Sequence, residues 1–425
     1  MSARALNVFL DGMFVGELQQ SAGGTVTFSY HDEYRRRADA TPLSLSMPVS
    51  RATHPQRTVL PYLQGLLPDS AGRLEEIARE ARTSPANPFG LLRHVGRDVA
   101  GALQILPGGW DPSDAVGSRN SVAPLTDDEV ASIVADLIEH ADTWGSRDTA
   151  GRWSLPGAQP KIALFRSPDG GWGQPRDATP TTHILKPAVA PYVEHDVNEY
   201  VTMKAAGLLG LAVADAELYT TVRGDRVFVA RRYDREFVHG AWHRRHQEDF
   251  CQALSVGPAR KYQADGGPGF AQMAQVISSF PDLEARRRGS RQLFDAMVFN
   301  VSAANTDAHA KNYSILLTAE HAELAPLYDL GTHLAYPPTR PLASAMKVGD
   351  QYRFDAIGIR DFLTIGRKLR VPDAEAQARI ETIRTGLADA FADAAAAIAS
   401  PTERAIAERI SDAVARHARS QRWIV

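Results

Sequence analysis

Between Phe299 and Gly331 the chain reads FNVSAANTDAHAKNYSILLTAEHAELAPLYDLG, and no other stretch constrains the fold as tightly. An apolar helix must stop at a polar turn, and a short apolar strand over residues 313–317 must follow. A β-hairpin must then return the chain to Tyr328-Asp329-Leu330-Gly331. Asp307 and Asn312 stand five residues apart on the first turn, and Asp329 stands on the second. A carboxylate, an amide and a second carboxylate in that order suit phosphoryl transfer. Mg²⁺ is a hard ion that prefers oxygen ligands and keeps several waters. One or two carboxylates or amides therefore hold it together with the substrate phosphates.

Protein kinases place a base Asp, then a metal-binding Asn five residues later, then a metal-binding Asp in a turn after a hairpin. The order and the first spacing match here. The plain alternative is that Asn, Thr and Asp occupy turns because they cap helices and bond their own backbone. Singly, Asp307 and Asp329 read as turn residues; the ordered trio carries the functional reading.

A chain of 425 residues has room for two or three domains with sizeable cores. Formal charge is 47 − 50 = −3, so no global basic field draws it to nucleic acid. The basic runs at residues 35–37 and 286–288 read as solvated faces. The single Cys251 excludes an internal disulfide and a Cys-based zinc cluster, which suits a reducing cytoplasm. No signal sequence and no stretch of about 18 apolar residues is expected, so neither is a membrane span.

In chain order, residues 6–18 predict a β-hairpin about Asp11-Gly12, a type I′ turn signal. Residues 41–48, TPLSLSMP, alternate as a half-buried strand would. Residues 62–99 turn helical with breakers at Pro85 and Pro88, and residues 101–106 return to strand. After a polar linker over residues 111–125, Thr126 and Glu129 form a capping box for an amphipathic helix.

RWSLPGAQPKIALF then runs from a Gly- and Pro-bearing turn into a strand over residues 161–165. Residues 154–161 offer a loop for phosphates, although the Walker A spacing is absent and a tight turn at Gly157 is the simpler account. Lys186 ends the strand 182–186, and Glu199 lies on the next helix. A strand Lys paired with a helix Glu is one reading, and a capping box with Asp196 as N-cap is the other. A further hairpin over residues 217–233 ends in Arg231-Arg232-Tyr233, where a hinge would bind adenine through its backbone. The remainder reads as helical, with Ile380, Ile383, Leu387, Phe391 and Ile398 on one core stripe. Ser400 is the expected N-cap of a last helix.

Taken together, NVFLDGMFVGEL, ATPLSLSMP, LLPDS, RWSLPGAQPK, THILKP, NEY, QEDFCQAL with KYQADGGPG, TDAHAKNYSI and LAPLYDLGTHLAYP resemble the HipA family of serine/threonine kinase toxins, over residues 6 to about 370. That resemblance implies an α+β, bilobal, kinase-like fold with an extra N-terminal β-rich subdomain and a mostly helical C-lobe. The expected spans are 1–110, 111–235 and 236–425. It also implies ATP and Mg²⁺ as cofactors and a HipB-type DNA-binding antitoxin as partner, through which alone the chain would reach DNA. The implied substrate class includes aminoacyl-tRNA synthetases.

Residue by residue, the resemblance makes Asp307 the catalytic Asp. It makes His309, Ala310, Lys311 and Asn312 the catalytic-loop contacts to nucleotide and metal, with Tyr328 beside Asp329, the second metal ligand. Lys186 would bind phosphate, Pro156, Gly157, Ala158, Gln159, Pro160 and Lys161 would form the nucleotide loop, and Arg231, Arg232 and Tyr233 the hinge. Ser154, next to Arg152 and Trp153, would be autophosphorylated. Pro156 and Pro160 remove two N–H donors from the loop. The competing reading is a nucleotide-binding but catalytically idle subunit of a repressor complex.

Overall fold

The structure, a computed structural model, describes residues 4–109, 113–117, 120–144, 153–337 and 341–421. Arg152 lies outside the described residues. The chain forms two compact units from interleaved stretches. One comprises Met1–Val189, Tyr219–Ala259 and Leu316–Glu320, and the other Ala190–Leu218, Arg260–Ile315 and His321–Val425. The mixture of helix and sheet is the α+β class expected.

The first unit begins with strands β1 (Arg4–Leu10), β2 (Met13–Gln20), β3 (Val26–Tyr30), β4 (Thr53–His54) and β5 (Leu103–Pro107), in the sheet order β4-β3-β2-β1-β5. The β1–β2 turn places Asp11 and Gly12 at φ 46° and 85°, the left-handed pair that a type I′ turn requires. Leu6, Val8, Leu10, Val15, Leu18 and Phe28 are buried. They share one core with Val59, Tyr62 and Leu63 of helix Gln56–Gly65 and with Phe89, Leu91 and Leu92 of helix Pro88–Val95. Pro88 stands at the start of its helix, where its missing N–H costs nothing.

Residues 41–48 are not a strand, contrary to the alternation. They form only a bridge between Ser44 and Met47, and side chains take up their polar groups instead of a neighbouring strand. The Tyr30 hydroxyl donates to the Met47 carbonyl (2.5 Å) and accepts from the Leu43 amide (2.7 Å). The Glu248 carboxyl accepts from the Leu45 amide (2.7 Å) and the Ser44 hydroxyl (2.5 Å).

Glu248 is buried, and desolvation pushes its pKa up to about 8 against the opposing pull of those two hydrogen bonds. The folded state therefore holds a proton that the unfolded chain releases near pH 4.5. This contribution is full below that value and is lost as pH rises through about 8, at about 1.4 kcal/mol per pH unit. Glu248→Gln, which keeps the shape without the charge, is expected to match wild type in thermal stability at pH 5. It should exceed wild type at pH 8.5. A variant less stable at both pH values would contradict the protonated state.

A second sheet comprises β6 (Val122–Pro124), β7 (Ile162–Arg166), β8 (Trp172–Pro175), β9 (His183–Pro187), β10 (Ala216–Thr220) and β11 (Arg226–Arg231), ordered β10-β11-β9-β7-β8-β6. Helix Asp127–Glu139 buries Val130, Val134 and Leu137 in the same core as Leu164, Leu185 and Val229. Its capping box forms as expected: the Thr126 amide donates to Glu129 (2.7 Å), and the Glu129 amide donates to the Thr126 hydroxyl (3.3 Å).

Charge lies at the heart of this unit. Asp98 accepts from Arg235 Nη2 (2.9 Å), Arg244 Nε (3.1 Å) and the Thr181 hydroxyl (2.6 Å). Asp234 accepts from Arg232 Nη2 (2.8 Å) and the Gly101 amide (2.7 Å). All five charged side chains are buried. Burial pushes the Asp98 carboxyl up, but the guanidiniums of Arg235, Arg244 and Arg232 outweigh it and hold the group well below the usual carboxylate range.

In the second unit the helices are His195–Leu208, Phe270–Ser278, Leu283–Ser302, Ile359–Lys368, Asp373–Ala396 and Pro401–Ser420. The stripe Ile380, Ile383, Leu387, Phe391 and Ile398 is buried core, as read. Ser400 is the N-cap of the last helix with Pro401 at N1, but its hydroxyl makes no capping bond. The Asp196 capping box does not form. The helix starts earlier, with Glu194 at the N-cap and Asp196 inside the first turn, because the Asn198 amide already donates to the Glu194 carbonyl (3.0 Å).

Candidate active site

Helix Leu283–Ser302 delivers the chain to the turn that carries Asp307, and two asparagines fix how it arrives. Ala304 takes a left-handed conformation (φ 51°), and Asn305 then turns back onto the helix end. Its amide donates to the Asn300 carbonyl (2.8 Å) and its Nδ2 to Asn300 Oδ1 (3.0 Å). Asn300 Nδ2 donates in turn to the Tyr313 hydroxyl (2.9 Å). The remaining Asn305 oxygen accepts from the Asp307 amide (3.1 Å). Asp307 thus sits on a turn pinned from both sides, with its side chain half exposed.

The expected neighbours gather around it. Asn312 closes the 3₁₀ turn Ala310–Asn312, and its Nδ2 donates to the Asp307 carbonyl (2.8 Å), which leaves Oδ1 as an acceptor facing elsewhere. The Tyr328 hydroxyl donates to the Lys311 carbonyl (3.1 Å) and bonds the Ser314 hydroxyl (2.7 Å). Asp329 follows in a left-handed conformation (φ 59°), which costs a non-glycine residue about 1 kcal/mol and marks a position held by its surroundings. The surroundings are specific. The Asn198 side chain exchanges two hydrogen bonds with the Thr332 backbone (2.8 and 2.9 Å), and Thr306 bonds His333 (2.8 Å), tying the two turns together.

His309 is buried beside Asp307. Its ring is 2% exposed, and neither ring nitrogen has a hydrogen-bond partner. Nε2 stands 3.8 Å from Asp307 Oδ1, too far for a hydrogen bond, and burial pushes the ring's pKa down. It packs edge-on against Tyr262, whose hydroxyl donates to Asp307 Oδ1. Sequence reasoning missed Tyr262, Asn305, Thr306, His333 and Asn198. For Tyr262 alone a signal existed, the glycine-rich run that follows it.

Within the first unit, β7 and β9 bring the nucleotide-loop candidates beside Lys186. Ile162 pairs with Leu185, and Gln159 Nε2 donates to the Pro187 carbonyl (3.4 Å). Lys186 faces Phe228 of β11, with Nζ 5.5 Å from the ring centre. Lys161 is buried, and its ammonium donates to the Pro156 carbonyl (2.8 Å), closing the loop on itself. Gly157 adopts φ 108°, and its carbonyl accepts from the Asp69 amide (2.8 Å). Ala158 is exposed.

Ser154 is 1% exposed; its hydroxyl donates to the Leu66 carbonyl (2.8 Å) and its amide to the Asp98 carbonyl (3.0 Å). At the hinge candidate, the Arg232 amide donates to the Thr182 carbonyl (2.9 Å) and its side chain belongs to the buried ionic cluster. Arg231 ends β11 opposite His183 of β9, and the Tyr233 hydroxyl donates to Gln247 Oε1. Lys186 and Glu199 belong to different units.

An amide oxygen on Asn312 and a carboxylate on Asp329 are donors of the kind that a hard divalent cation takes. Asn312 Oδ1 is set apart by the bond its Nδ2 makes, and Asp329 is held in a conformation that its neighbours impose. When bound, Mg²⁺ neutralises developing charge on the phosphates. Among the described residues no group of three His, Cys, Asp or Glu side chains forms a metal cluster, and no helix is long and apolar enough to cross a membrane.

Two family models match: a HipA N-terminal domain over residues 6–106 and a HipA-like C-terminal domain over residues 153–416. A Sinorhizobium fredii protein named "Putative kinase Y4mE" is 36% identical over 407 residues, spanning 95% of this chain and 93% of the relative. The serine/threonine-protein kinase toxin HipA of Shewanella oneidensis is 29% identical over 336 residues, 76% of this chain and 74% of that one. A solved Shewanella oneidensis HipA, in complex with HipB and its operator DNA, superposes with a TM-score of 0.82. It covers 98% of this chain and 97% of that one at 24% identity, a likeness of fold. With family models covering residues 6–106 and 153–416, the chain belongs to the HipA family.

Proposed function

We propose that this protein is a serine/threonine protein kinase that transfers the γ-phosphoryl of ATP, with Mg²⁺, to a protein hydroxyl and acts as a toxin. The observation that carries the reading is the catalytic turn. A half-exposed Asp307 carboxylate stands on a backbone pinned by Asn305 and Asn312, and side-chain bonds tie that turn to the turn bearing Asp329. Asp307 accepts the acceptor proton, Asn312 and Asp329 supply oxygens to Mg²⁺, and Lys186 steadies the phosphates. Residues 156–161 cover the nucleotide, and the backbone of the hinge from Arg231 to Tyr233 receives adenine. The substrate class is an aminoacyl-tRNA synthetase, and the partner is a HipB-type antitoxin that supplies the DNA contact. The test is γ-labelled ATP added to a whole-cell lysate with and without the protein. A new labelled band supports the kinase, and ATP binding without any transfer supports the idle repressor subunit.

Ser154 gives this kinase a means of self-inactivation. Its hydroxyl is buried on the Leu66 carbonyl, so phosphorylation requires residues 153–161 to leave their place. A phosphoserine with about −1.5 to −2 charges is too costly to rebury there, and the displaced loop no longer covers the nucleotide. Ser154→Asp is expected to bind ATP about tenfold or more weakly by calorimetry. Peptide mass spectrometry after incubation with Mg²⁺-ATP should place phosphate on Ser154. Wild-type affinity in Ser154→Asp would remove the switch.

A further inference from the structure

The run KYQADGGPG, residues 261–269, takes no part in the chemistry assigned so far, yet it is built to close tolerances. The chain passes through an extended Tyr262, makes a 3₁₀ turn over Gln263–Asp265 and reverses at Gly266 (φ 84°). The Asp265 and Gly267 amides both donate to the Tyr262 carbonyl (3.1 and 2.9 Å). A Cβ on Gly267 would fall on the Arg260 carbonyl oxygen and 2.7 Å from that of Tyr262. A Cβ on Gly269 would stand 2.6 Å from the Gln263 side chain, whose oxygen accepts from the Lys347 amide (2.7 Å). The element these glycines immobilise is the backbone of Tyr262.

At the far end of that side chain is the catalytic carboxylate. The Tyr262 hydroxyl donates to Asp307 Oδ1, and its ring meets the His309 ring edge-on at 5.0 Å. His309 makes no hydrogen bond to Asp307, so of the two rings beside this carboxylate Tyr262 is the one that donates to it. We infer that Tyr262 is a positioning residue for phosphoryl transfer: its phenol holds Asp307 Oδ1 so that Oδ2 meets the acceptor hydroxyl. This rests on the kinase reading of Asp307. In the step, the acceptor oxygen bonds the γ-phosphorus. The bond from that phosphorus to the bridging oxygen breaks with its electron pair going to ADP, and the acceptor proton passes to Oδ2. The phenol keeps its own proton. Without it the half-exposed carboxylate turns freely, and a smaller fraction of encounters is in line.

The test uses the full chain with Mg²⁺-ATP. Tyr262→Phe keeps the ring against His309 and removes only the donor. It is expected to lower kcat for transfer about 10- to 100-fold while KM for ATP stays within about twofold. A double-mutant cycle of Tyr262→Phe with Asp307→Ala, read as melting temperature, should be non-additive if the two side chains are bonded. Unchanged kcat in Tyr262→Phe, a raised KM for ATP with kcat unchanged, or an additive cycle would each overturn the inference. Absence of transfer by the wild-type protein would remove the kinase reading, and with it this role, even where the cycle shows coupling.

Discussion

Asp307→Asn is expected to reduce phosphoryl transfer at least about 100-fold, a transition-state loss of about 3 kcal/mol or more, while the protein folds as before. The substitution is nearly isosteric, it still offers an oxygen to the Tyr262 hydroxyl, and the half-exposed site leaves no cavity. What it loses is a group able to take the acceptor proton. Asp329→Asn should be similarly inactive and similarly folded, because Asn tolerates the left-handed conformation at that position (φ 59°). Asn312→Ala differs: it also deletes the 2.8 Å bond to the Asp307 carbonyl, so about 1 kcal/mol of stability goes with the activity. The measurement is initial rate of γ-phosphoryl transfer beside a melting curve for each variant. Transfer by Asp307→Asn at near wild-type rate would end the assignment of Asp307 as base.

Asp98→Ala is expected to destabilise the first unit by about 3–5 kcal/mol, a large part of the usual margin of a folded domain. Removing this carboxylate leaves Arg235, Arg244 and Arg232 buried around a vacancy, with Asp234 as the remaining carboxylate of the cluster among the described residues to oppose three positive charges. The same guanidiniums also hold the Val99, Gly101 and Ala178 carbonyls, so their rearrangement would loosen backbone as well. Asp98→Asn keeps an acceptor for Thr181 but not the charge, and most of the loss should persist. Thermal unfolding is the check, with a fall of about 10 °C expected for a unit of this size. A melting temperature within about 2 °C of wild type would show that the cluster contributes little. The result also bears on the hinge: Arg232 is fixed by this cluster, so its substitution should act through folding before it acts on nucleotide.

Much of the fold was legible because it depends on near neighbours in the chain. The Asp11-Gly12 turn, the Thr126–Glu129 capping box and the apolar stripe of helix Asp373–Ala396 each follow from spacing within a few residues. The order of Asp307, Asn312 and Asp329 was equally plain, since turn chemistry and metal chemistry both favour short oxygen-bearing side chains at those positions. Tertiary structure decided what distant partners do. Residues 41–48 alternate like a strand, but Tyr30 and Glu248 claim the bonds that a neighbouring strand would have made. The Arg232 side chain is taken up by Asp98, which lies 134 positions earlier in the chain. Tyr262 lies 45 residues before the carboxylate it holds, and a hydrogen bond across that interval leaves no periodicity to read. Local patterns are set by helix and strand geometry, whereas the burial of a charge or the aim of a hydroxyl depends on which surfaces folding brings together.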